Sequence, residues 1–178
     1  VSSEHFEPGC VGCSFEKWIL DGHPRWGWPT IDDLDYHVTT LFFEVRPRGF
    51  LELRAGEALP NRWRSAPVAL TAALLYEERA REKALALLSG YRDRLPDVWR
   101  RAARDGVRDD EIRDLACKLW RIGLEGARAL PQNYIGDANI RATEDYLEHF
   151  TARGRMPTDD LLDLFNEDPA RALAWASS

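Results

Sequence analysis

The strongest constraint on the fold is a β-hairpin that stands alone in an otherwise helical sequence. Residues His37 to Arg54, HVTTLFFEVRPRGFLELR, read as two short strands around the turn RPRG. Side chains two apart on a strand share a face. Glu44 therefore pairs with Arg46 and Glu52 with Arg54 on one face, while Leu51 and Leu53 load the other. After Pro60 the pattern is helical to the end. The expected class is α+β: a hairpin over 37–58 and a helical region over 61–176, within one domain spanning 1–178. A two-stranded ribbon is marginal unless it joins a larger sheet, so strands from elsewhere are expected to complete it.

Composition narrows the possible functions. The 178 residues are 44% hydrophobic and 30% charged, which predicts a packed core and excludes global disorder. The net charge of −6 argues against nonspecific nucleic-acid binding. No apolar run approaches the roughly 18 residues of a membrane span, and no leader pattern is visible. A cytoplasmic chain without nucleic-acid or membrane partners is expected. The first residue is Val rather than Met, as for a GTG start read literally or a chain cut from something longer.

The cysteines say less. Three is an odd number, so a disulfide scaffold is not expected. Cys10 and Cys13 form CVGC, which can be half a zinc site, a redox pair or two unremarkable thiols. No second pair follows, and His5 and His23 fit no standard zinc spacing. Cys117, in IRDLACKLWRIGL, lies at an apolar helical position and is expected to be buried.

Local signals place the other elements. SFEKWILDG predicts a short helix ending at Gly22. TIDDLDYHVTT opens with a Thr30 N-cap and an acidic first turn, then passes into the hairpin. APVALTAALLYEE is apolar nearly all round and predicts a buried helix. Further helices follow over REKALALLSGYRDRL, DVWRRAARDG, RDDEIRDLACKLWRIGLEGARAL, ANIRATEDYLEHFTARG, PTDDLLDLFNED and PARALAWASS.

The hairpin's charged face has two readings. Cross-strand Glu/Arg pairs on a solvated face are common and contribute about 0.2–1 kcal/mol each. The same residue types also suit a nucleotide and metal site. Carboxylates hold Mg²⁺ through oxygen, and guanidinium forks fit phosphate oxygens. Phosphoryl transfer is catalysed by positioning and charge neutralisation, which needs both types together. No glycine-rich phosphate loop is present. His37 opens the hairpin as a structural residue or an acid–base group. Trp63 either shapes a pocket or anchors the next helix. His23 and His149 read as ordinary loop and helix-surface residues.

DYHVTTLFFEVRPRGFLELR followed by LPNRWRSAPVALTAALLYEE resembles the C-terminal half of glutamate–cysteine ligases. The similarity is to the actinobacterial type that begins ergothioneine synthesis and to the plant type of glutathione synthesis. Its marks are His-x-Thr-Thr-x-Phe, then Val-Arg, then a Leu-Glu-x-Arg strand; FTARGRMPTDDLL resembles the family's closing segment. The likeness runs from about Phe15 to Phe165.

The resemblance implies that ATP phosphorylates the γ-carboxylate of glutamate and that the amine of cysteine attacks the acyl phosphate. It implies a curved sheet with helices outside, Glu52 as a Mg²⁺ ligand, Arg54 on the transferred phosphate and Arg46 on substrate or phosphate. Thr39 and Thr40 would lie on the strand beside the substrates, with Trp63 near them, and the leucines would pack on helices. Phe43 stands where the family has proline, and Glu57 is nearest to its aspartate after the strand. Family chains are much longer, so a missing N-terminal half, or self-association through the sheet edge, is expected to complete the site. The alternative is a non-catalytic scaffold that binds a partner through that edge.

Overall fold

The computed structural model describes residues 14–41, 45–47, 49–54, 56 and 58–177. The chain is α+β, as expected: helices α1 (Phe15–Asp21) and α2 (Ile31–Thr40), strands β1 (Val45–Pro47) and β2 (Leu51–Leu53), then helices α3 (Asn61–Tyr76), α4 (Glu78–Ser89), α5 (Leu95–Asp105), α6 (Asp110–Ala129), α7 (Asp137–His149), α8 (Pro157–Glu167) and α9 (Pro169–Ala176). It divides near residue 55 into two compact units.

In the first unit, Ser14 caps α1 by accepting from the Lys17 N–H, and the helix stops at Gly22. The loop after it closes on itself. His23 and Gly27 exchange two backbone bonds of 2.8 Å, and Trp18 Nε1 donates to the Gly27 carbonyl at 2.8 Å. His23 stacks on Trp26 with ring centroids 4.1 Å apart, and Phe15 stacks on His37 at 4.7 Å, joining α1 to α2.

The α2 boundary corrects one expectation. His37, Thr39 and Thr40 do not begin a strand; they form the last turn of α2. The N-terminal signal is strong. Thr30 and Asp33 form a reciprocal capping box, and hydrogen bonds from the Thr30 backbone and hydroxyl hold the Asp33 carboxyl below its ordinary range. The β-branched run is accommodated because Thr39 Oγ1 donates to the Tyr36 carbonyl at 2.6 Å and Thr40 Oγ1 to the His37 carbonyl at 2.7 Å. The hairpin is correspondingly short. β1 and β2 are antiparallel, with Val45 opposite Leu53, Arg46 opposite Glu52 and Pro47 opposite Leu51. The turn joins Pro47 to Leu51. Gly49 turns it at φ 79°, a conformation that suits glycine.

The second unit is a helical assembly around α3 and α6. α3 packs against α6 and α7, α4 packs against α6, and α8 pairs with α9. One core group is Ala66, Cys117, Trp120, Leu124 and Leu147; a second is Ala69, Ala73, Ala127 and Ile135. Cys117 is buried, as expected. The α3 helix is one-sided rather than buried all round. Trp63, Ala66, Ala69 and Ala73 face inward, while Val68, Leu75 and Tyr76 are exposed. Small inward residues let backbones approach closely: a Cβ on Gly126 of α6 would lie 2.7 Å from Ala80 Cβ of α4.

The start of α6 is fixed by charge. Asp109 accepts from the Glu111 and Ile112 N–H groups. Arg101 donates to both Asp109 oxygens at 2.7 Å and to Glu111 at 2.7 Å, while Arg94 grips Glu111 at 2.7 and 2.8 Å.

Candidate functional site

Alternation along β1 and β2 puts Arg46 and Glu52 on one face, and Arg54, two residues after Glu52, falls on it as well. Val45 and Leu53 oppose each other on the other face. The leucines do not pack as expected: Leu51 is 59% and Leu53 47% exposed. Among the described residues the sheet has two strands.

The Arg46–Glu52 pair has an unusual geometry. The two residues are directly opposite, yet Arg46 Nη1 stands 3.9 Å from Glu52 Oε2, which is too long for a hydrogen bond. Glu52 Oε2 is nevertheless buried and accepts no hydrogen bond. A buried carboxylate oxygen without a donor costs free energy that a solvated strand face need not spend. The donor chemistry fits a hard cation: an anionic oxygen with open lone pairs. No group of three or more His, Cys, Asp or Glu side chains that could hold a metal ion converges among the described residues.

The other expected site residues divide. Thr39 and Thr40 are exposed at the end of α2, with their hydroxyl protons donated to their own helix. Glu44, Glu57, Phe43, His5, Cys10 and Cys13 lie outside the described residues. Trp63 belongs to the second unit and is 3% exposed. It forms a core group with Leu59 and Phe150, edge-on to Phe150 at 5.0 Å and to Tyr146 at 6.0 Å, with Arg62 Cζ 4.4 Å from its ring centroid. That is the anchoring reading of this tryptophan.

His149 is more than the surface residue its sequence suggests. It stacks on Trp63 at 5.5 Å, and its Nε2 lies 2.8 Å from Asp160 Oδ2. Arg155 donates to Asp160 at 2.8 Å and to Asp163 at 2.6 Å. Burial pushes the Asp160 carboxyl up, but the hydrogen bonds from Arg155 and His149 outweigh it and hold the group below its ordinary range. The cluster ties the end of α7 to α8. Trp63, His149 and Asp160 come from α3, α7 and α8, so no local spacing announces their meeting.

Fold and face together define an α+β protein with a charged hairpin ahead of a helical body. The chain belongs to glutamate-cysteine ligase family 2, which matches residues 11–174. It is 33% identical over 166 residues to the glutamate–cysteine ligase EgtA of Mycolicibacterium smegmatis, covering 92% of this chain and 36% of that protein. It is 26% identical over 163 residues to the chloroplastic glutamate–cysteine ligase A of Oryza sativa subsp. indica, covering 88% and 32%. The EgtA of Mycobacterium tuberculosis H37Rv is 33% identical over 154 residues, covering 84% and 32%. The chain thus spans about a third of the length of these relatives. No solved structure matches it significantly. No helix among the described residues is long and apolar enough to cross a membrane.

Proposed function

We propose that the chain contributes the charged hairpin of an ATP-dependent glutamate–cysteine ligase. The observation that carries this reading is Glu52 Oε2, a buried oxygen with no hydrogen-bond donor on a strand that matches the ligase family. In the proposed reaction the γ-carboxylate of glutamate attacks the terminal phosphorus of ATP, and ADP leaves. The amine of cysteine then attacks the acyl carbon, loses a proton and expels phosphate, giving γ-glutamylcysteine.

Two residues of the face have parts in this reading. Glu52 would hold Mg²⁺, which would supply neutralisation of phosphate charge. Arg54 would present forked donors to the phosphoryl group being transferred, whose charge is spread over its equatorial oxygens in the transition state. Thr39 and Thr40 are left without a substrate contact in this reading, since their protons stay in α2. Trp63 supports from the core and does not touch substrate. The two-stranded sheet, open at its edges, supports completion by further strands from another segment or a second copy, and the exposed Val45, Leu51 and Leu53 leave its apolar face for a covering layer.

The test is ADP release by the purified chain with ATP, Mg²⁺, glutamate and cysteine, against mixtures lacking each amino acid, alongside calorimetric binding of ATP with a divalent cation. Release that needs both amino acids and is lost in Glu52→Gln supports the ligase reading. ATP binding that depends on the cation and on Glu52, without turnover, supports a contribution completed by further strands. The absence of both release and cation-dependent binding would overturn it.

A further inference from the structure

The C-terminal pair of helices, α8 and α9, is held to the rest of its unit mainly by charge. Four contacts reach α8 from residues that precede it. Arg108 pairs with Asp159, His149 Nε2 lies 2.8 Å from Asp160 Oδ2, and Arg155 donates to Asp160 at 2.8 Å and to Asp163 at 2.6 Å. Asp159 and Asp160 are turned in, with side chains 16% and 24% exposed. Apolar groups of the same pair are turned out: Leu162 is 57%, Phe165 53% and Leu173 71% exposed.

The apolar attachment is narrow. Among the described residues no side chain of α8 joins the three core groups, and α9 contributes Trp175, which packs on Leu59, Trp63 and Phe150. The principal helical neighbour of α8 is α9. Gly154, at φ 68°, turns the chain ahead of α8. The Arg155 N–H donates to the Phe150 carbonyl at 3.0 Å, so Arg155 is fixed to the end of α7 and belongs to the body of the unit. Segments with few buried apolar contacts open at a lower free energy than the whole fold. Ion pairs weaken as salt rises, whereas apolar burial does not.

We propose that α8 and α9 form a strap, latched through Asp159 and Asp160, that lifts as one body about Gly154 while α3, α6 and α7 stay folded. Lifting takes Trp175 off Leu59 and Trp63, and takes Asp160 off His149, whose ring stacks on Trp63. Leu59 and Trp63 are the first buried apolar residues after β2 among the described residues. The strap therefore bears on the segment that leads out of the charged strand.

Hydrogen–deuterium exchange of the intact chain, read peptide by peptide, reports opening of each segment. Raising sodium chloride from about 0.1 M to about 1 M shortens the screening length from about 10 Å to about 3 Å. Exchange in α8 and α9 should then speed up about threefold, with α3 and α6 unchanged. Asp160→Asn removes the anion that His149 and Arg155 share, and should speed exchange in α8 and α9 about tenfold at low salt, with the gap to wild type narrowing at high salt. Arg108→Gln, at a half-exposed arginine away from the core, should act in the same direction by about threefold and serves should Asp160→Asn fail to fold. Exchange in α8 and α9 that follows α3 and α6 under salt and in the variants makes the pair part of the core and overturns the strap. A gap that stays constant from low to high salt makes Asp160 a packing residue and overturns the latch. Unprotected α8 and α9 in the wild-type chain at low salt would overturn both.

Discussion

The two units differ most in where their apolar groups are. Among the described residues of 14–54 no residue is buried, whereas the helical unit carries a core that runs from Leu59 to Ala172. The candidate chemistry sits in the unit without a core. Strands that must present charged groups to a substrate cannot also turn both faces inward, and a three-residue strand has little else to bury. The helical unit has no such conflict and packs its small residues closely. The largest predicted effect separates the units directly. Phe150→Ala, at a fully buried position, should cost about 3–5 kcal/mol in urea denaturation. Leu51→Ala in the hairpin should stay within about 0.5 kcal/mol. A comparable loss at Leu51 would mean that the apolar hairpin face is covered.

A second prediction sharpens the contrast from the core side. An alanine Cβ at position 126 would meet Ala80 Cβ at 2.7 Å, and neither group can rotate away. Overpacking costs about 1–3 kcal/mol, and about 1 kcal/mol of helix propensity gained over glycine offsets part of it. Gly126→Ala should therefore destabilise by about 1 kcal/mol, read from the urea midpoint at unchanged m. An increase in stability would show that α4 and α6 can move apart freely.

The third effect depends on pH. Arg101, hydrogen-bonded to Asp109 and Glu111, holds both carboxyls below their ordinary ranges. A depressed carboxyl stabilises the fold above its unfolded pKa and loses that contribution as pH falls through the folded value. Wild-type melting temperature should thus fall as pH drops below about 5. Arg101→Gln should melt lower than wild type near neutrality, and the gap should close towards pH 3, as thermal scans across that range would record. A constant gap would place the effect of Arg101 in packing rather than charge.

What the sequence revealed follows the same division. The helical unit was legible because its signals are local: the Pro157 and Asp159 start of α8, the apolar spacing of Ile112, Leu115 and Leu119, and burial of Cys117 at an apolar position. The hairpin was legible in kind but not in extent. Val38, Thr39 and Thr40 favour strands as isolated residues, and the Thr30–Asp33 capping box overrode them by nucleating a helix that runs to Thr40. The open oxygen on Glu52 and the His149–Asp160–Trp63 cluster were not legible, because each depends on distances between elements that no local spacing encodes.

The smallest stability effect is expected at the residue with the most functional weight. Glu52→Gln keeps the shape of the side chain and replaces a buried, undonated carboxylate oxygen with a neutral amide. The wild-type geometry gives no hydrogen bond to lose, and the Arg46 charge at 3.9 Å contributes little at a partly solvated site. The midpoint of unfolding should therefore stay within about 0.5 kcal/mol of wild type, or rise. Cation-dependent ATP binding should be lost in the same protein. Were Glu52→Gln instead to destabilise the chain by more than about 1 kcal/mol, the carboxylate would be a structural partner of a group it does not touch in this geometry, and the case for a ligand at Oε2 would collapse with it.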